Sequence, residues 1–146
     1  ARSAGALGCA CNGRDGDGAM DGRDAGWRDG ARLLARLLIG ALFLAGAGQK
    51  WLSPAGASGL LEARGLPAWL IWPALAFNLA AGLALVLGVW TAPVALLLAA
   101  YCAGTSVFHW IPSDPWQISI FVKNWAIAGG CLALAAAGPG AYAWRP

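Results

Sequence analysis

Residues 67–111 read PAWLIWPALAFNLAAGLALVLGVWTAPVALLLAAYCAGTSVFHWI, without a single Asp, Glu, Lys or Arg. Thr91-Ala92-Pro93 is the turn in this stretch, so residues 67–90 and 93–111 form two antiparallel neighbours. Each is close to the ~20 residues that cross a ~30 Å hydrocarbon core. Hydrocarbon offers no water to open backbone groups, so both segments are expected to be helices. Pro73 either opens the first turn of its helix or bends it.

The same reading extends outward. Residues 33–52 make a first apolar span, with Arg32 and Arg36 at its entrance, and residues 116–137 make a fourth, closed by Gly138-Pro139-Gly140. The Arg36 guanidinium can extend back toward the headgroups, so it does not oppose insertion. Residues 53–66 are read as a loop. Pro112-Ser113-Asp114-Pro115 is turn chemistry, because proline fixes the backbone and Asp or Ser bonds back to it. The predicted fold is all-α, a four-helix transmembrane bundle.

Composition agrees. Charged residues make up 12% of the chain, against roughly 25% in a soluble domain. Mean hydropathy is +0.60, and more than half of the charged residues precede position 32. Residues 1–30, rich in Gly, Asp, Arg and Ala, are expected to be a disordered tail. They lack the apolar core of a secretory signal. Met20 is the only methionine and is read as the physiological start. Residues 31–146 are then the membrane domain.

A net charge of +3 does not indicate a nucleic-acid partner, because the basic residues form neither a run nor a patch. Arg23, Arg28, Arg32, Arg36 and Arg145 gather on the side of both termini, with Lys50 and Arg64 opposite. That bias predicts cytoplasmic termini. Trp51, Trp69, Trp72, Trp110 and Trp116 would form the outer aromatic belt, and Trp27, Trp90 and Trp144 the inner one. Trp125 falls within the fourth span. Small-residue stripes at Ala76, Ala80, Ala84 and Gly88, and at Gly129, Ala133 and Ala137, are the expected helix contacts.

The polar interruptions fall toward the outer end. Gln49-Lys50 closes the first span, His109 closes the third, and Lys123-Asn124 lies just inside the fourth. A charge in hydrocarbon costs ~2.5–3.5 kcal/mol on insertion scales, so such groups mark candidate sites. Lys50, His109, Lys123 and Asn124 are the candidate ligand-binding residues. Lys123 either snorkels outward or faces the bundle interior. Its neighbour Asn124 points about 100° further round the helix, so one of the two faces another helix. His109 is read as a packing residue or a proton shuttle. Asn78, deep in the second span, is an internal polar contact or part of an internal site. Thr105 and Ser106 can bond their own helix. No metal site is expected, since Cys9 and Cys11 form a lone C-x-C and no His or Cys set has ligand spacing. Cys102 and Cys131 read as small hydrophobes.

Four segments resemble the DoxX family of small membrane proteins. RLLIGALFLAGAGQKW, residues 36–51, resembles its opening helix, and NLAAGLALVLGVWT, residues 78–91, its second. FVKNWAIAGGCLAL, residues 121–134, is similar to the opening of its fourth helix, and GPGAY, residues 138–142, to its closing signature. The resemblance covers residues 32–146. It departs from the family pattern at Asn78, where an acidic residue is expected, which argues against an ionisable carrier there. The resemblance implies a bacterial inner-membrane protein. Some relatives are linked to thiosulfate oxidation coupled to quinone reduction, or to membrane complexes that handle thiols. The leading expectation is an accessory subunit that helps a redox partner exchange electrons with the quinone pool. Lys50, His109, Lys123 and Asn124 would frame a head-group or anion pocket near the outer leaflet, and the electron carrier would be a bound quinone or part of the partner. Its partners would be the lipid bilayer and a redox protein or a homo-oligomer. No catalytic residue is assigned. The alternative is a non-catalytic scaffold for other membrane proteins, and a transporter is disfavoured because four spans leave little room for alternating access.

Overall fold

The computed structural model describes the backbone of residues 16–144 and the side chains of residues 25–144. Residues 1–15, with Cys9 and Cys11, and Arg145 lie outside the described residues. Five α-helices follow one another: α1 (Gly16–Leu52), α2 (Pro54–Glu62), α3 (Ile71–Leu87), α4 (Thr91–Ser106) and α5 (Pro115–Ala137). Short 3-10 turns at Ala68–Leu70 and Val107–His109 lengthen α3 and α4. Four segments are long and apolar enough to cross a membrane: Ala25–Leu52, Ala68–Leu87, Thr91–His109 and Pro115–Ala137.

Two expectations need correction. The helix that contains the first span begins at Gly16, so residues 16–30 are helical rather than disordered. A helix nucleated in the apolar span gains one hydrogen bond for each residue it adds. An i,i+3 ion pair, Arg32 Nη1 to Asp29 Oδ1 at 3.0 Å, supports the added segment. The expected loop at 53–66 holds α2, which starts at Pro54, where a fixed φ and a missing N–H suit a first helical turn.

The turn between the second and third spans also shifts: it lies at Gly88–Trp90, and Thr91-Ala92-Pro93 opens α4 instead. Elsewhere turn chemistry behaves as predicted. Asp114 caps α5 by accepting from the Trp116 N–H at 2.9 Å and the Gln117 N–H at 3.4 Å. Pro73 falls in the first turn of α3, where it opens the helix. Gly88 ends α3 at φ 79°, and the Val89 N–H reaches back to the Ala84 carbonyl at 2.9 Å. Thr105 and Ser106 bond carbonyls of their own helix, at Tyr101 and Cys102.

The helices pack chiefly in two pairs, α1 on α3 and α4 on α5, joined across looser seams. The small-residue stripes do not make these contacts as rows: Gly88 is buried against Arg36 of α1 and Ala84 is half-buried. Ala76, Ala80, Gly129, Ala133 and Ala137 are exposed. In the first pair Gly40 meets Gly82: a Cβ on Gly40 would lie 3.0 Å from the Gly82 carbonyl oxygen, and one on Gly82 would lie 3.1 Å from the Gly40 oxygen. In the second pair Ala95, Leu98, Ala99 and Cys102 face Ala128, Cys131 and Leu134. Outward-facing leucines such as Leu38, Leu83 and Leu97 are exposed, as a lipid-facing surface requires.

Candidate functional site

The polar residues of the spans fall into four places, and helix direction explains much of the division. A helical side chain leans toward its own N-terminus. Lys50 lies in the last turn of α1, so it leans back along the span rather than out of it. Its Nζ donates to the Gly46 carbonyl at 3.4 Å, a long bond within one helix. A cation is favourable there, since the C-terminal end of a helix carries partial negative charge.

Asn78 of α3 lies across from Lys50. A Cβ on Gly46 would be 3.8 Å from both Lys50 Nζ and Asn78 Nδ2, so the absent side chain leaves the two groups facing one gap. Asn78 is 2% exposed, and its Oδ1 has no hydrogen-bond partner among the described residues. The amide is therefore not fully used as interhelical glue. Its side chain lies beside Tyr101 of α4, whose ring is held between Phe43 at 6.3 Å and Phe77 at 5.1 Å. Tyr101 is absent from the sequence-based set, because a single Tyr in an apolar run gives no signal of its own.

His109 and Asn124 lie elsewhere. The His109 Nδ1 is 2.7 Å from Gln117 Oε1, across the turn into α5. With the amide oxygen accepting, Nδ1 carries the proton and Nε2 is left as the acceptor. Nearby, Trp110 stacks at 4.9 Å on Phe121. Asn124 is half-buried, with no side-chain hydrogen bond to Lys50, His109 or Lys123 among the described residues.

Lys123 faces outward. It is exposed, and it lines a groove of about 390 Å³ between α1 and α5 with Leu38, Ile39, Leu42, Ala126 and Ile127. It lies eight residues into α5, or ~12 Å at 1.5 Å per residue, so its side chain leaves the helix from an apolar wall well inside the span. The four candidates thus do not share one pocket, and Lys123 is the one that lines a groove.

Arg36 contradicts its sequence reading. Instead of reaching toward headgroups it is 1% exposed. Its Nε donates to Leu85 O at 3.0 Å and its Nη2 to Val86 O at 3.2 Å. Its Nη1 donates to Pro139 O at 2.8 Å and Tyr142 O at 3.1 Å. One guanidinium therefore joins α1, the last carbonyls of α3, and the turn that follows α5.

A bundle of four apolar spans with buried Arg, Asn and Thr side chains and a lysine on its lipid-facing wall is an integral membrane protein of the four-helix class. Residues 31–110 match the DoxX family model. Over 111 residues the chain is 34% identical to the inner membrane protein YqjF of Escherichia coli (strain K12), an alignment covering 75% of this chain and 85% of that one. The chain belongs to the DoxX family. The matched segment contains Arg36, Lys50, Asn78 and His109 and ends before Lys123 and Asn124. No solved structure matches.

Proposed function

We propose that this protein is an accessory subunit of the inner membrane, with both termini in the cytoplasm, that links a thiol- or sulfur-oxidising partner to the quinone pool. The observation that carries this reading is the groove at Lys123. It is open between α1 and α5, apolar along Leu38, Ile39, Leu42, Ala126 and Ile127, and interrupted by one ammonium. An isoprenoid quinone needs an apolar wall for its tail and ring and a donor for a carbonyl oxygen, and this groove offers both. Lys123 would donate that hydrogen bond, and the leucines of α1 would seat the tail. A bound quinone would supply an acceptor for two electrons and two protons released by the partner's reaction.

The location rests on the likeness to YqjF, and the orientation rests on the basic residues near the α1 entrance. The test is purification of the full chain in mild detergent, followed by quantification of quinone and co-eluting proteins. Wild type should retain quinone, and Lys123→Met should retain about tenfold less, the loss expected for one charge-assisted hydrogen bond. A wild-type preparation carrying neither quinone nor a redox protein overturns the proposal and leaves the scaffold reading.

A further inference from the structure

The end of the bundle that carries Arg36 holds more positive character than its partners neutralise. All four recorded partners of the Arg36 guanidinium are uncharged carbonyls. Among the described residues the one salt bridge joins Arg32 to Asp29, so the buried Arg36 has no carboxylate. The terminal carbonyls of α3 offset part of its charge, equivalent to roughly half an electron. A guanidinium has five N–H donors, and its four bonds leave one free, on Nη2. That nitrogen would be 2.7 Å from a Cβ on Gly88.

Gly88 lines an open surface groove of about 440 Å³, together with Trp90, Thr91, Pro93, Pro139 and Trp144. The N-terminus of α4 opens onto the same space. No side chain caps that helix, and its first turn contains no acidic residue. Pro93 has no N–H and the Val94 N–H bonds Trp90 O at 3.0 Å, so the N–H groups of Thr91 and Ala92 are the ones left without an acceptor in the helix, and they carry partial positive charge. Thr91 adds a second, independent sign of a missing partner. It is 3% exposed, and its Oγ1 has no hydrogen-bond partner among the described residues. An unpartnered hydroxyl and a helix N-terminus beside one groove, with an incompletely neutralised arginine behind Gly88, share one need, an oxyanion. Trp90 and Trp144 are exposed at its rim, as tryptophans at headgroup level are.

The geometry points to a phosphate-binding site at this end of the bundle, in which the α4 N-terminus and the Thr91 hydroxyl hold a phosphate oxyanion while Arg36 supplies its counter-charge. The phosphate belongs either to a membrane phospholipid or to the free ion. Occupancy ties α4 to the Arg36 clamp, and so to α1, α3 and the turn after α5. The site is independent of the Lys123 groove and does not require a quinone.

The test uses the full chain in detergent, delipidated until a phosphorus assay shows no retained phospholipid, with melting followed as ligand is added. Phosphatidylglycerol and inorganic phosphate are the two arms. At least one should raise the melting temperature of wild type. A response to phosphatidylglycerol alone assigns the site to a lipid headgroup, and a response to both assigns it to phosphate as such. Thr91→Val keeps the shape, removes the hydroxyl, and should bind about tenfold more weakly. Thr91→Asp places a carboxylate in the first turn of α4. It should melt above ligand-free wild type and respond to neither ligand. The proposal is overturned if neither ligand stabilises wild type, or if Thr91→Val responds as wild type does, which is how lipid coating the outer surface would behave.

Discussion

The two ends of this bundle treat their buried polar groups in opposite ways. At one end Arg36 makes four hydrogen bonds of 2.8–3.2 Å, all to carbonyls of a helix end or turn. At the other, Lys50 makes a single bond of 3.4 Å within its own helix, beside an amide oxygen with no partner among the described residues. Geometry separates them. A planar fork of donors matches several fixed acceptors at once, whereas an ammonium on a flexible stem holds one loosely. The Arg36 end is a lock that fixes the helix ends, and the Lys50–Asn78 end is a polar gap in a packed bundle.

The sharpest way to break this contrast is at Arg36. Arg36→Met should cost about 3–5 kcal/mol, because it orphans several buried acceptors together. Arg36→Lys should recover only part of that, since three rotatable donors cannot reproduce the fork. Reversible unfolding in mixed micelles measures both. A loss below about 1 kcal/mol for Arg36→Met would show that the carbonyls find other donors and that the lock is not one.

Next in size is the glycine crossing. A Cβ on Gly82 would approach Leu44 Cγ to 2.9 Å and the Gly40 carbonyl oxygen to 3.1 Å, and backbone cannot yield as a side-chain tip does. Gly82→Ala should therefore cost about 1–3 kcal/mol, whereas Ala80→Leu, on the exposed face of α3, should cost nearly nothing. Equal losses at both positions would place the α1–α3 contact on the wrong face.

Asn78 tests the opposite end. A lone buried amide with an unused oxygen contributes little to stability, so Asn78→Leu should change it by no more than about 1 kcal/mol in either direction. This stands against the several kcal/mol expected at Arg36, although the two side chains are almost equally buried. A loss as large as that of Arg36→Met would mean that the Asn78 oxygen has a strong partner and that the gap is filled.

What the sequence made legible follows the same physics. The spans could be read because hydrocarbon thickness sets their length and backbone satisfaction makes them helical, and Asp114 was readable because Asp-Pro carries a local capping mechanism. The packing faces were not. In an Ala- and Leu-rich helix every face is apolar, so the Ala76–Ala80–Ala84 row looked as suitable as the Gly82 face that makes the contact. The role of Arg36 was hidden for a different reason: its acceptors lie at residues 85, 86, 139 and 142, and only tertiary structure brings them to it. The candidate residues were expected in one place and lie in several, because sequence gives depth in the membrane more readily than rotation about the helix.

The smallest effect on stability is expected at Lys123, and it separates stability from function. The side chain is exposed, has no hydrogen bond among the described residues, and leans toward the N-terminal end of α5, where the nearer interface lies. Snorkelling in that direction already relieves most of the cost of its charge. Lys123→Met should therefore shift stability by less than about 0.5 kcal/mol, the range of surface substitutions away from special features. Moving the charge one turn deeper, as Lys123→Met with Ile127→Lys, lengthens the path to that interface and should lower folded yield in membranes. If both variants insert and fold like wild type, the groove wall is wetter than its leucines imply. If Lys123→Met alone is destabilising, the ammonium has a partner within the protein, and Lys123 belongs with Arg36 among the locks.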